Sequence, residues 1–195
     1  MGLTLTTPPG VEPLTLDEAK AHLRIELSDS SEDTLVESLM LAARRWAETE
    51  LSASLITQTW KLTLPGFPWN TRSICLERGP VQSITSIKYL DSSNVEQTLD
   101  PSKYLLETRP LADEVWLTYL NTWPVTVAQR DAVRIVYVAG YGDAGTDVPE
   151  DLRRAMLLRL GDLYRNREAQ VIGATVTEGL ALSALLGGFQ RGLAV

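Results

Sequence analysis

The spacing of apolar residues changes its repeat twice along this chain, and that change restricts the fold more than any single motif. Across residues 32–51, EDTLVESLMLAARRWAETEL, the residues Leu35, Val36, Leu39, Met40, Ala43, Trp46 and Ala47 recur at three- and four-residue steps. That spacing lines one face of a helix. Glu37, Arg44, Arg45, Glu48 and Thr49 fall mostly on the other side. Across residues 56–64 the repeat drops to two, with Ile56, Trp60, Leu62 and Leu64 facing one way and Thr57, Thr59, Lys61 and Thr63 the other, the pattern of a half-buried strand. After residue 147 the helical repeat returns in Leu152, Ala155, Met156, Leu160, Leu163 and Tyr164.

Local signals place the ends of these elements. Residues 1–13 are rich in Thr, Pro and Gly and read as an extended arm. Thr15-Leu16-Asp17-Glu18 has the form of a capping box, so a short first helix is expected from Leu16 to about Ile25. Ser30 or Ser31 is the expected cap of the central helix, with Glu32 and Asp33 favoured at the positive end of its dipole. Pro65-Gly66-Phe67-Pro68 breaks the first strand and Ile74-Cys75-Leu76 makes a short return, followed by a second break at Gly79-Pro80. Residues 84–90 and 95–99 read as a hairpin around Asp91-Ser92-Ser93-Asn94. Residues 104–106, 115–117 and 132–139 complete an antiparallel region expected to be a small sandwich or barrel. Asp147 is the expected cap of the last helix, with Pro149 in its first turn, and the helix is expected to run to Arg167.

The fold class is therefore α+β: a helical bundle of two N-terminal helices and a long C-terminal helix, with an inserted small antiparallel β subdomain and an extended C-terminal tail. The segments are the arm and helices at 1–54, the β subdomain at 55–145, the completing helix at 146–168 and a docking tail at 169–195.

At 195 residues the chain can bury a full core, and 44% hydrophobic with 22% charged residues is the balance of a folded chain rather than a disordered one. A net charge of −7 argues against a general nucleic-acid binder, which needs clustered Lys and Arg. No apolar run approaches the ~18 residues of a membrane helix, and the N-terminus lacks the basic start and apolar block of a signal peptide. The single cysteine, Cys75, excludes an internal disulfide and fits a reducing cytoplasm.

A search for chemistry finds none that holds. His22 is the only histidine and lacks partners for a metal site, so it reads as an ordinary helix-surface or interface residue. Cys75 reads as a small core residue. Gly-x-Ser-x-Gly is absent. Gly140-Tyr141-Gly142-Asp143-Ala144-Gly145 lacks the strand–helix repeats of a dinucleotide site and reads as a flexible joint. No catalytic, cofactor-binding or metal-binding residue is assigned. Two sets of residues suit interfaces instead. Arg44, Arg45, Arg153 and Arg154 form basic pairs on the two long helices and are candidates for contacts with acids of a neighbouring subunit. The tail from 169 is glycine-broken and apolar, unlike a disordered tail, and Leu182, Leu185, Leu186, Phe189 and Arg191 are its candidate docking residues. Of the five tryptophans, Trp69 and Trp123 lie beside prolines in loops, where contact and local packing are both open.

Pro13-Leu14-Thr15-Leu16-Asp17-Glu18-Ala19-Lys20-Ala21-His22-Leu23-Arg24 resembles the opening of head–tail connector proteins of long-tailed phages, prophages and related gene transfer agents. Ala42-Ala43-Arg44, Leu55-Ile56-Thr57-Gln58-Thr59-Trp60, Tyr137-Val138-Ala139-Gly140-Tyr141-Gly142, Val148-Pro149-Glu150-Asp151-Leu152-Arg153-Arg154-Ala155 and Asn166-Arg167-Glu168 extend the resemblance in the same order. It covers roughly residues 11–168; the tail and the loops around 65–72 and 108–128 match less. The resemblance implies a non-enzymatic adaptor without cofactor, located at the head–tail junction of a virion. Such an adaptor forms a ring with itself, typically a dodecamer, under the portal protein. It presents a surface to a tail or stopper protein, and DNA passes through without specific binding. Two other readings carry their own tests: a β-domain binding module for a peptide, sugar or host protein, and an enzyme of unrecognised type.

Overall fold

The computed structural model describes residues 1–109, 112–166 and 185–189. The helices α1 (Leu16–Leu23), α2 (Asp33–Leu51) and α3 (Glu150–Arg165) pack on one another. Their core is continuous: Val36, Met40, Ala43 and Ala47 of α2 meet Leu152, Ala155, Met156 and Leu160 of α3, all nearly or fully buried. The three- and four-residue steps seen in the sequence are therefore the buried stripe.

The capping box forms. The Thr15 N–H donates to the Glu18 carboxylate at 2.8 Å and the Glu18 N–H to Thr15 Oγ1 at 3.2 Å. The helix ends at Leu23 rather than Ile25, because Arg24 takes a left-handed conformation (φ 62°). The expected serine cap of α2 does not form: Glu32 occupies the capping position, and its carboxylate accepts from the Tyr164 hydroxyl rather than from the N–H groups of the helix. The turn before it is organised by Asp29, which accepts from the Ser31 N–H at 2.9 Å, and by Lys20. Lys20 is only 3% exposed, donates to the Asp29 carbonyl at 2.8 Å and ion-pairs with Asp33. A buried lysine thus fastens α1 to the start of α2, supplying the charges that a buried ammonium requires. Asp147 likewise does not cap α3, whose N-cap is Pro149; its carboxylate accepts from the Ala144 N–H at 2.9 Å.

Among the described residues eight strands form two antiparallel sheets. The larger contains β1 (Gly2–Thr7), β2 (Gln58–Leu64), β4 (Val81–Leu90), β5 (Glu96–Thr98) and β8 (Val133–Ala139), in the order β1-β2-β8-β4-β5. The smaller contains β3 (Ser73–Leu76), β6 (Tyr104–Thr108) and β7 (Asp113–Leu117), in the order β3-β7-β6. The two sheets share one core built from Leu62, Ile87, Ile135 and Tyr137 on one side and Ile74, Leu76 and Val115 on the other, so the β region is a sandwich. Leu62 lies opposite Ile135 and Trp60 opposite Tyr137. The β4–β5 hairpin forms as read, with Asp91 accepting from the Ser93 and Val95 N–H groups in its turn.

Three features differ from the sequence expectation. The segment 2–7 is extended, but as the edge strand of the larger sheet rather than an arm beside the helices. The short strand at 73–76 does not return onto β2; it pairs with β7 in the second sheet. Cys75 is half-buried and alternates away from Ile74 and Leu76, which take the core side of that strand.

The chain enters and leaves the sandwich side by side. The Tyr141 N–H donates to the Leu55 carbonyl at 3.0 Å and the Thr57 N–H to the Gly142 carbonyl at 2.9 Å. Gly140 has φ 140°, and a Cβ there would lie 2.6 Å from the Ile56 carbonyl. The glycines at 140 and 142 permit this close crossing. The expected flexible joint is a tightly packed one.

Candidate functional site

The four candidate ring arginines divide into two kinds. Arg44 is buried on α2; its Nε donates to Glu12 at 2.8 Å and its Nη1 to Glu48 at 3.0 Å. Glu48 in turn accepts from the Leu55 N–H at 3.1 Å and from Gln58 Nε2 at 2.5 Å. This network ties the N-terminal arm and the entry to the sandwich to α2. Arg153 donates to the Pro13 carbonyl at 3.2 Å and pairs with Glu150 and Glu18. Both residues are therefore engaged within their own chain. Arg45 and Arg154 are exposed, one on each long helix. Sequence alone could not separate Arg44 from Arg45, because Glu12, one of the two acids that claim Arg44, lies 32 residues away.

Arg154 and Arg165 stand around His22, where α1 meets α3. Burial, followed by the two guanidinium charges, lowers the His22 pKa below its ordinary value. A Cβ at Gly161 would lie 3.3 Å from His22 Nε2, so Gly161 leaves room for the ring. Among the described residues no group of His, Cys, Asp and Glu is arranged to hold a metal ion. A shift at Tyr137 is structural: burial pushes the phenol up, and its hydroxyl donates to the Glu77 carbonyl at 2.6 Å.

A second surface lies on two loops of the sandwich, 65–72 and 118–132. Phe67 stacks on Trp123 at 4.8 Å with the rings 7° apart, and the Trp123 Nε1–H donates to the Thr71 carbonyl at 3.1 Å. Arg72 donates to the Thr118 carbonyl at 2.8 Å. With the loops joined at their base in this way, Trp69 (94% exposed), Tyr119 (86%), Leu120 (82%) and Val125 (78%) point into solvent. Trp69 is placed for contact and Trp123 for local packing. Tyr119, Leu120 and Val125 carried no periodic signal in the sequence.

Of the tail residues, Leu182 and Arg191 lie outside the described residues. Leu186 is 4% exposed and belongs to the helical core, with Leu185 and Phe189 packed half-buried beside it. The segment 185–189 is thus seated on the chain's own bundle.

A three-helix body carrying a sandwich, with its distinctive side chains at surfaces and in fastening networks, has the build of an assembly protein. Residues 13–98 match the model of the phage gp6-like head-tail connector proteins. No curated protein matches the sequence. Among solved structures, a chain of the virion of a native gene transfer agent particle aligns with a TM-score of 0.82 at 22% identity, covering 100% of this chain and 98% of that one. A chain of the neck of an empty gene transfer agent particle, computed with C6 symmetry, aligns at 0.83 and 22% with the same coverage. A chain of the neck of a native particle, computed with C12 symmetry, aligns at 0.74 and 20%, again with the same coverage. At these identities the likeness is one of fold, and it extends through the whole mixed helix-and-sheet architecture.

Proposed function

We propose that this protein is the adaptor in the neck of a phage-like particle, forming a ring of its own copies at the head–tail junction between the portal and a tail-side component. The observation that carries the reading is the connector match over residues 13–98, together with a fold that aligns end to end with neck chains. Those neck structures were computed with six- and twelve-fold symmetry, which supports a closed ring as the working form.

In this reading the segments have separate roles. The helical body makes the ring contacts, with exposed Arg45 and Arg154 meeting acids of the next, rotated copy. Arg44 and Arg153 contribute indirectly, by holding the arm and the sandwich in place on that body. The loops bearing Trp69 and Tyr119 present the surface for the next component, since large exposed aromatics are characteristic of interface anchors. The tail from 169 docks on the portal or a neighbouring subunit, and DNA passes through the ring unheld.

One observation favours the alternative of a monomeric binding module: segment 185–189 lies on its own body. The deciding experiment is the mass in solution, alone and mixed with the portal protein from the same particle. A closed ring or a portal-bound ring is expected, and Arg45→Glu with Arg154→Glu should weaken it while leaving the circular dichroism unchanged. A monomer that ignores the portal would overturn the reading.

A further inference from the structure

Segment 185–189 and its seat on the bundle are a matched pair that need not belong to one chain. Leu186 is 4% exposed within the helical core, and Leu185 and Phe189 flank it. Gly187 and Gly188 are exposed with open space around them, so the segment is held through those three side chains. The Phe189 N–H donates to the Leu186 carbonyl at 2.9 Å and closes the turn that sets the side chains. Among the described residues, the apolar side chains of this contact lie within five residues of one another.

The chain that joins this segment to α3 includes residues 167–184. A stretch of that length reaches at most about 60 Å when extended, whereas a globular chain of this size is about 40 Å across. The segment of one copy can therefore reach the corresponding seat on an adjoining copy. A closed ring needs a heterologous contact, in which a donor surface on each chain meets a different acceptor surface on the next. The segment and its seat already have that complementary form.

We propose that in the assembled ring residues 185–189 leave their own bundle and place Leu186 in the bundle of the neighbouring copy. This rests on the ring reading above and names one docking partner of the tail, a second copy of this chain. The side-chain contacts are the same before and after the exchange, so little is lost by making it. In the free chain the tether favours the chain's own seat; in the ring the next seat is held at comparable distance and its effective concentration becomes comparable.

The test places the photo-cross-linker p-benzoylphenylalanine at position 189 of the full chain, where it replaces a half-buried aromatic. Irradiated monomer should link within its own chain to the helical bundle. Irradiated ring should give a ladder of joined chains on a denaturing gel, with mixed isotope-labelled copies mapping the links to α2 or α3 of the other copy. A ring that shows only own-chain links overturns the exchange and leaves the connector reading standing. Chain-to-chain links in dimers that never close support the exchange and count against the ring. A monomer at every concentration, linked only to itself, overturns both. As a second measure, Leu186→Asp should raise the concentration for half-assembly at least tenfold while the far-ultraviolet spectrum of the monomer is retained; unchanged assembly refutes the proposal.

Discussion

Adjacent arginines on α2 should differ in their effect on stability by a substantial part of the protein's margin. Arg44 has a side chain only 8% exposed and two acidic partners, Glu12 at 32% and Glu48 at 12%. Removing Arg44 lets Glu12 hydrate but leaves Glu48 Oε2 inside without its cation. The other oxygen of Glu48 keeps the Leu55 N–H and Gln58, so the loss falls on one half of the carboxylate. Truncating one partner of a buried pair costs about 3–5 kcal/mol, which for a chain of this size is roughly 6–20 °C in Tm at about 2–4 °C per kcal/mol. Arg45 is exposed, and Arg45→Ala should stay within about 0.5 kcal/mol of the parent. Urea melts of Arg44→Ala, Arg45→Ala and the double variant Arg44→Met with Glu48→Gln measure this directly. The double variant neutralises the stranded carboxylate and should recover at least half of the loss. If Arg44→Ala and Arg45→Ala melt together, the network does not stabilise the fold and the division of the arginines is wrong.

Gly140→Ala should destabilise by about 1–3 kcal/mol in the same melts, because φ 140° is strained for any side chain and the new Cβ would meet the Ile56 carbonyl. Glu18 is held below its ordinary pKa of 4.5, chiefly by the Thr15 backbone N–H, so its contribution is complete above pH 4.5 and is lost as pH falls through the lowered folded value; Glu18→Gln should therefore show a shallower loss of stability on acidification than the parent. Trp69→Ala, at a side chain 94% exposed, should leave the melting midpoint unchanged within about 0.5 kcal/mol while weakening capture of the tail-side component in a pull-down. The net charge of −7 predicts no retardation of duplex DNA at physiological salt in a gel-shift assay.

The helices and most of the strands could be read from the sequence because their signals are local: the stripe of α2, the Thr15–Glu18 box and the alternation of residues 133–139 all act over a few residues. What could not be read depends on distant partners. The strand at 2–7 is fixed by pairing with β2, some sixty residues on, and its Thr-rich sequence resembles an arm until that partner is known. The pairing of β3 with β7 is likewise set by the sandwich rather than by the turn after β2. Ser30 and Ser31 have suitable chemistry for a cap, but Asp29 and the buried Lys20 organise that turn first. Trp69, between a proline and an asparagine, left contact and packing both open, whereas Tyr119 and Leu120, just past the end of β7, carry no signal that singles them out.

The close crossing at residues 55–57 and 140–142 has an engineering consequence. Leu55 and Tyr141 are one hydrogen bond apart, so the ends of the inserted sandwich nearly coincide. Sequence changes at its far loops need not propagate through that junction into the helices. A sandwich from a chain of the same fold could be grafted at these two points while the helical body is kept. The graft must also carry residues 2–7, because the chain visits the larger sheet once more before the first helix begins, and a sandwich transferred without that strand would arrive with an uncovered edge along β2.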